Sequence, residues 1–143
     1  MQIPQDWFTA IDNDCNCIDL WLIADDYSAS LNLFVFNIDE TMESKIGENE
    51  NELEELIRLS KVLKRAQFGN EFQSVGDDEY FLFNQTEAAA YVYRDGTLHE
   101  KRVVMFKHNG RYYEFLATPQ DDVTDYEITA LFNIQNSVLA SVR

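Results

Sequence analysis

The chain is poor in several residue types, and each shortage excludes a class of protein. Its 143 residues include two cysteines, two prolines and five glycines, so disulfide-rich scaffolds, collagen-like repeats and Gly-rich linkers are excluded. Eleven basic side chains stand against 26 acidic ones, which excludes nucleic acid as a partner, because its phosphates require many lysines and arginines. No apolar run approaches the roughly 20 residues of a membrane-spanning helix, so no membrane span is predicted.

The abundant residues are those of a folded core. Hydrophobic residues make up 45% of the chain and aromatic residues 13%, which excludes disorder of the chain as a whole. A chain of this length buries about two-thirds of the surface that its unfolded form exposes. Because no linker, repeat or low-complexity segment interrupts the sequence, we predict a single domain over 1–143.

Hydrophobic patterns predict an antiparallel sheet covered on both faces. Strands are predicted over 18–24 and 29–38, a helix over 51–66, a meander of strands over 72–117 and a second helix over 124–142. Apolar side chains occupy both faces of the strand 29–38: Leu31, Leu33 and Val35 point one way, and Phe34, Phe36 and Ile38 point the other. A sheet with one wet face would alternate apolar with polar residues. The predicted fold class is therefore α+β, an antiparallel sheet of about six strands sandwiched between helices.

Local signals indicate where these elements begin and end. Thr124 with Glu127 predicts a capping box at the start of the last helix, and Gln135 is the polar exception in the apolar stripe of that helix. Turns of the meander are predicted at Gly76-Asp77-Asp78, Asp95-Gly96 and Asn109-Gly110.

The negative charge is concentrated in the first part of the chain. Residues 1–57 carry 14 acidic and 1 basic side chain, a net charge of −13, whereas 58–143 carry 12 and 10, a net charge of −2. A solvated acidic face that keeps the protein soluble is the commoner explanation of such a run. The alternative is a docking surface for a basic partner.

Trp7 and Phe8 precede the first predicted strand beside Pro4 and Asp6. Large aromatic residues near a terminus often anchor it under a sheet edge, and this is the role that we expect. The alternative is a groove that accepts a peptide or a protein partner. If this region binds a partner, the residues predicted to take part are Trp7, Phe8, Asp12, Asp14, Asp25 and Asp26.

No spacing of residues predicts a catalytic, cofactor or metal site. His99 and His108 flank one predicted strand, which would separate them by about 30 Å, and neither is placed beside a nucleophile. Every glycine stands alone, so no phosphate-binding loop is predicted. We therefore predict a protein that is not an enzyme, with no catalytic residues, no cofactor and no metal.

The segment around the two cysteines matches only part of a known metal-binding motif. Asp12-Asn13-Asp14-Cys15-Asn16 is similar to the first half of a calcium loop, but Cys17 and Ile23 stand where that loop requires Gly and Glu. Cys15 and Cys17 are two residues apart, and a strand would hold their sulfurs too far apart to form a disulfide. We expect them to be small, half-buried residues.

The sequence resembles the PsbP/Mog1/DcrB-like proteins over nearly its whole length. The resemblance is carried by Ile3-Pro4-Gln5-Asp6-Trp7, by Asn109-Gly110-Arg111-Tyr112-Tyr113-Glu114 and by Gln135-Asn136-Ser137-Val138-Leu139-Ala140-Ser141. It implies an antiparallel sheet between helices, in agreement with the strand pattern. Proteins of this kind include thylakoid proteins, a Ran-binding protein, bacterial envelope lipoproteins and acidic secretion chaperones, and none is a well-defined enzyme. The resemblance thus implies a binding or accessory role.

Two functions agree with these observations. The first is a non-enzymatic accessory protein, the soluble domain of a bacterial envelope lipoprotein whose leader and lipid anchor lie outside this chain. The alternative is a cytosolic protein, a secretion-effector chaperone or an immunity protein, that binds a protein partner through its acidic N-terminal surface. A lipidated Cys encoded upstream would support the first, and salt-dependent association would support the second. A third function class, a hydrolase, would predict a concave site with a base beside Ser or Cys.

Overall fold

The computed structural model describes residues 2–10, 20–48, 51–120 and 123–141. In these residues the strands are β1 (Trp7–Thr9), β2 (Leu20–Ala24), β3 (Ala29–Val35), β4 (Phe72–Phe83), β5 (Thr86–Asp95), β6 (Lys101–His108) and β7 (Arg111–Pro119). The α-helices are α1 (Glu40–Glu48), α2 (Glu52–Phe68) and α3 (Asp125–Ala140). A 3₁₀ turn, Gly69–Glu71, follows α2.

The seven strands form one antiparallel sheet in the order β1-β2-β3-β7-β6-β5-β4. Tight hairpins connect β4 to β5 and β6 to β7, and the long connection through α1 and α2 carries the chain from β3 to the far edge. The last strand then returns to pair with β3. This order leaves β1 at one edge of the sheet and β4 at the other.

Helices cover both faces of the sheet. On one face, α3 packs on a core that includes Leu31, Phe106 and Phe115, all at most 2% exposed. On the other face, α1 and α2 pack on a second core that includes Tyr91 and Met105. The predicted sandwich is therefore confirmed, with seven strands in place of about six; the short β1 is a strand that the sequence pattern did not predict.

Side-chain caps start two of the helices, and one of the caps is the predicted capping box. The Thr124 hydroxyl accepts a hydrogen bond from the Glu127 amide at 3.3 Å, as expected for the capping box. Asn51 caps α2 in the same way, accepting from the Glu54 amide at 3.1 Å. Helix α2 ends at Gly69, which has a φ of 61°, a conformation that glycine adopts without strain.

Two local predictions differ from the structure. Helix α1 was not predicted, because its nine residues carry too few apolar positions for a clear stripe. The predicted turn at Gly76-Asp77-Asp78 is wrong: β4 continues through it, with a register shift between Val75 and Glu79 opposite β5. Gly76, at a φ of 68°, supplies the local kink of a bulge, and Lys61 of α2 binds Asp78 at 2.7 Å.

Asp95 organises the connection between β5 and β6. This residue is 7% exposed, and it accepts hydrogen bonds from the Thr97 amide at 3.2 Å, from the Thr97 hydroxyl at 2.7 Å and from the Lys101 ammonium group. Burial raises the pKa of Asp95, but these bonds from Lys101 and Thr97 outweigh it, so the pKa of the carboxyl lies below its usual value. The charged form of Asp95 is thus favoured by folding.

The Asp95→Asn variant is expected to be less stable than the wild type by about 1–3 kcal/mol at pH 7, because charge-assisted hydrogen bonds are lost. A lowered pKa in the folded state stabilises the protein above the unfolded pKa of about 3.9, and this stabilisation disappears as pH falls through the folded pKa. The difference between the two proteins should therefore vanish in strong acid. Urea unfolding at a series of pH values measures it, with exposed Asp77→Asn as the control; a difference independent of pH would contradict the assignment.

Candidate functional site

A cavity of about 440 Å³ lies at one end of the sheet. Its walls are the start of β1, the turn between β2 and β3, and the first turns of α3. The lining residues are Asp6, Trp7, Ala24, Asp25, Asp26, Ser28, Ala29, Tyr126, Glu127, Ala130, Leu131 and Ile134. We call this site the acidic cavity.

Four of the lining side chains are carboxylates, and none of the lining residues in the described part of the chain is basic. The carboxylates are those of Asp6, Asp25, Asp26 and Glu127. A cleft lined by charges of one sign attracts ions of the opposite sign and raises their local concentration. The acidic cavity is therefore suited to a cation.

A backbone hydrogen bond holds the turn between β2 and β3, which contains Asp25 and Asp26, against the start of β1. The Asp25 amide donates to the Asp6 carbonyl at 2.8 Å, and the Tyr27 amide donates to the Ala24 carbonyl at 2.8 Å. Asp6 and Tyr27 have φ values of 66° and 60°, which are uncommon for residues other than glycine. The backbone of Asp6 is thus fixed beside the turn that carries Asp25 and Asp26.

Asp26 also closes its own turn. Its carboxylate accepts a hydrogen bond from the Ser28 amide at 2.9 Å, and bonds from the hydroxyl and the amide of Ser28 lower the pKa of Asp26. A carboxyl with a lowered pKa stays charged at neutral pH and is a weak base. The Asp26–Ser28 pair therefore supplies negative charge to the cavity rather than an activated hydroxyl.

The rest of the lining is apolar and aromatic. Trp7 packs on the core beneath α3, and Leu131 and Ile134 of α3 lie beside it in the wall. Tyr126, in the first turn of α3, is 83% exposed. Aromatic faces near carboxylates favour organic cations, because the ring attracts positive charge and the walls bury an apolar stem.

The structure brings together three of the six residues predicted to bind a partner. Trp7, Asp25 and Asp26 line the acidic cavity. Phe8 does not, since it points to the opposite face of β1, where its ring meets that of Tyr27 edge-on with centroids 5.9 Å apart. Asp12 and Asp14, like Cys15 and Cys17, lie outside the described residues.

The charged and aromatic lining residues that the sequence pattern does not indicate are Asp6, Tyr126 and Glu127. In the sequence, Asp6 is notable only as a neighbour of Trp7, Glu127 belongs to the predicted capping box, and Tyr126 lies off the apolar stripe of α3. The position of Tyr126 off that stripe is the one sequence signal that indicates an exposed aromatic residue. Nothing in the sequence spacing indicates that α3 lies beside β1.

A second cavity, of about 480 Å³, lies on the other face between α2 and strands β3 and β7. The hydroxyl of Ser60, a lining residue, is hydrogen-bonded to other protein side chains. The hydroxyls of Ser60 and Tyr91 are 2.6 Å apart, both residues are 1% exposed, and burial raises the pKa of Tyr91. Glu114 accepts from Ser60 at 3.4 Å and from Lys64. This cluster joins α2 to the sheet and presents no accessible nucleophile.

Within residues 2–10, 20–48, 51–120 and 123–141, no three His, Cys, Asp or Glu side chains converge as metal ligands would. Among the described helices, none has the length and apolar character needed to cross a bilayer.

No protein-family model and no curated protein matches the chain. Solved structures do match it. Cyanobacterial PsbP (CyanoP) from Synechocystis sp. PCC 6803 is 14% identical, with 94% of this chain and 81% of that chain covered at a TM-score of 0.57. LpqN, involved in cell envelope biogenesis of Mycobacterium tuberculosis, is 14% identical, with 99% and 79% covered at a TM-score of 0.49.

The likeness to cyanobacterial PsbP shows the fold of this chain. The match covers almost the whole of this chain and about four-fifths of the other, and it confirms the PsbP/Mog1-like architecture predicted from the sequence. At 14% identity the two chains share an architecture, and function has to be argued from the site.

Proposed function

We propose that this chain is a non-enzymatic accessory protein that binds a basic segment of a protein partner in the acidic cavity. The observation that carries the proposal is the composition of that cavity: four carboxylates and two aromatic side chains around an apolar floor, with no basic residue among the described lining residues. This is the chemistry that a lysine or arginine side chain requires, with a charged head and an apolar stem.

The size of the cavity supports side-chain capture. About 440 Å³ lies within the range of sites that enclose small ligands, so the cavity can enclose a long side chain but not a folded partner. The stem would lie on Trp7 and Ile134, and the charged head would face Asp25 and Glu127. A free amino acid would occupy the cavity alone, whereas a protein that inserts one side chain would also contact the rim with its neighbouring residues.

The rim supports a protein partner over a free small cation. Tyr126 lines the cavity in the first turn of α3 and is 83% exposed. Exposed tyrosines are enriched in protein interfaces, because each buries a large rigid surface and can form a hydrogen bond at its hydroxyl. A partner's backbone and flanking side chains would cover this ring while its basic residue enters the cavity.

The non-enzymatic part of the proposal is supported by the hydroxyl groups of the two cavities. In the acidic cavity, the Ser28 hydroxyl bonds to Asp26, a carboxylate of lowered pKa. In the second cavity, Ser60 is 1% exposed. No imidazole belongs to the described lining of either cavity, so neither hydroxyl is paired there with the histidine that most often activates a serine nucleophile.

Binding of a lysine- and arginine-rich peptide is expected to weaken by about tenfold or more when the salt concentration rises from 50 to 500 mM, because salt screens exposed charges over a few ångströms. Fluorescence anisotropy of a dye-labelled peptide, titrated with the full chain, measures this. A peptide of the same length with glutamine at each basic position is the control. Affinity that is indifferent to salt, or equal for the two peptides, would overturn the proposal.

The partner available to the acidic cavity would differ between the two locations predicted from the sequence. As the soluble domain of an envelope lipoprotein, the chain would meet basic segments of envelope proteins; in the cytosol, as a chaperone or immunity protein, it would meet a secreted effector. Fractionation of the native cells, followed by detection of the chain with an antibody, distinguishes these proposals. Lipid attached upstream of the chain would identify the envelope form.

A further inference from the structure

We propose that the outer edge of β4 pairs with the same edge of a second copy of this chain, so that two sheets join across a two-fold axis. Strand β4 lies at the end of the sheet, and within the described residues it pairs only with β5. An edge strand presents a row of unpaired amide and carbonyl groups to solvent and serves as a template for another strand.

The hairpin geometry shows which residues of β4 offer these free groups. Asn84 and Gln85 form the two-residue turn into β5, with φ values of 46° and 67°, as in a type I′ turn. In such a hairpin the flanking residues, Phe83 and Thr86, form a hydrogen-bonded pair, and the pattern then alternates along the strands. Phe81 therefore bonds to β5, whereas Tyr80 and Leu82 direct their amide and carbonyl groups outward.

The same two residues expose their side chains. Tyr80 is 50% exposed and Leu82 is 68% exposed, and because they are two apart they lie on one face of the strand. Soluble proteins usually protect an edge with charges or bulges. In β4 that protection ends at the register shift before Glu79, so the segment from Tyr80 to Phe83 is an unprotected edge.

This segment is complementary to itself. In an antiparallel pair with the two-fold axis at Phe81, Tyr80 of each copy lies opposite Leu82 of the other, and the two residues form both a hydrogen-bonded pair and an aromatic–aliphatic contact. Glu79 then lies opposite Phe83. A register centred on Glu79 would instead place that carboxylate opposite its own equivalent, which is unfavourable. The register centred on Phe81 avoids that pair of like charges and keeps both Tyr80–Leu82 contacts.

A second copy is therefore the occupant that this edge fits. The pairing provides about four backbone hydrogen bonds, since each copy supplies the donors and acceptors of two residues. Each copy carries a net charge of −15, so repulsion between copies opposes the dimer and added salt should strengthen it. This salt dependence is opposite in sign to the one expected at the acidic cavity.

Sedimentation velocity of the full chain over a range of concentrations tests the proposal. We expect a dimer that increases with concentration and with salt. Leu82→Asp should weaken it at least tenfold, because the two-fold axis introduces two charges into the contact. Leu98→Asp is the matched control, since Leu98 is 69% exposed in the loop after β5 and should leave the dimer unchanged.

Leu82→Pro provides a second variant that tests the backbone pairing. Proline removes the outward amide of residue 82 without removing a bond to β5, and edge strands accept proline at such positions. It should weaken the dimer as Leu82→Asp does, while the far-ultraviolet circular dichroism of the monomer stays the same. A chain that is monomeric at every concentration and salt, or a dimer that neither variant changes, would overturn the proposal.

Discussion

Replacing Gln135 with leucine is expected to lower the free energy of unfolding by about 3–5 kcal/mol, because buried polar groups lose their partners. Gln135 is fully buried on α3. Its amide nitrogen donates to the Phe115 carbonyl at 2.8 Å and to the Arg102 carbonyl at 3.2 Å, and its oxygen accepts from the Arg102 guanidinium at 2.9 Å. Leucine fills a similar volume but makes none of these bonds.

The size of this effect follows from the burial of Arg102. This residue is 3% exposed between the sheet and α3, and burial lowers its pKa while Glu79 opposes that change. Its remaining bonds are to Asn136 at 2.7 Å and to Glu79 at 3.4 Å, and its guanidinium lies over the Phe81 ring. A buried charge that loses one of its few partners is costly, because water cannot replace that partner.

Urea unfolding of four proteins measures the interaction: the wild type, Gln135→Leu, Arg102→Met and the double variant. The double variant should be more stable than the sum of the single effects predicts, because it leaves no guanidinium without a partner. Asn136→Ala is the control at the rim of the same network, with an expected loss of about 1 kcal/mol. Strict additivity of the two single variants would show that Gln135 and Arg102 do not act together.

The Gln135–Arg102 pair also shows what the sequence could predict of the fold. Periodicity predicts Gln135 as the polar exception in the apolar stripe of α3, and it predicts Arg102 only as part of the meander of strands over 72–117. It did not show that the two side chains meet, because they are 33 residues apart and belong to different layers. Alternation and helical spacing describe which face of an element is buried, whereas partners across layers depend on the order of the strands.

The acidic cavity was predictable only in part for the same reason. Trp7, Asp25 and Asp26 all lie in the first 26 residues, whose acidic and aromatic content is visible in the sequence. Tyr126 and Glu127 are about a hundred residues away, and they reach the cavity because β7 returns to pair with β3 and so brings α3 over that end of the sheet. Local patterns carry no information about such a return.

The largest functional effect is expected from reversing charge inside the acidic cavity. The double variant Asp25→Lys/Glu127→Lys should weaken binding of the basic peptide by at least about 100-fold, which corresponds to about 2.7 kcal/mol. Two attractive charges become repulsive in a cleft whose remaining carboxylates, those of Asp6 and Asp26, cannot compensate. Asp26 is left intact because it accepts the Ser28 bond that closes the turn.

Asp77→Lys/Glu87→Lys is the matched control for that experiment. It changes the net charge by the same amount, at exposed positions on β4 and β5, which lie at the opposite edge of the sheet from the cavity. Thermal unfolding of both variants verifies that they are folded. If the acidic cavity binds the peptide, the control retains most of its affinity, because only a small part of the attraction comes from overall charge at moderate salt. Equal losses in the two variants would mean that the whole acidic surface attracts the peptide and that this cavity has no special role.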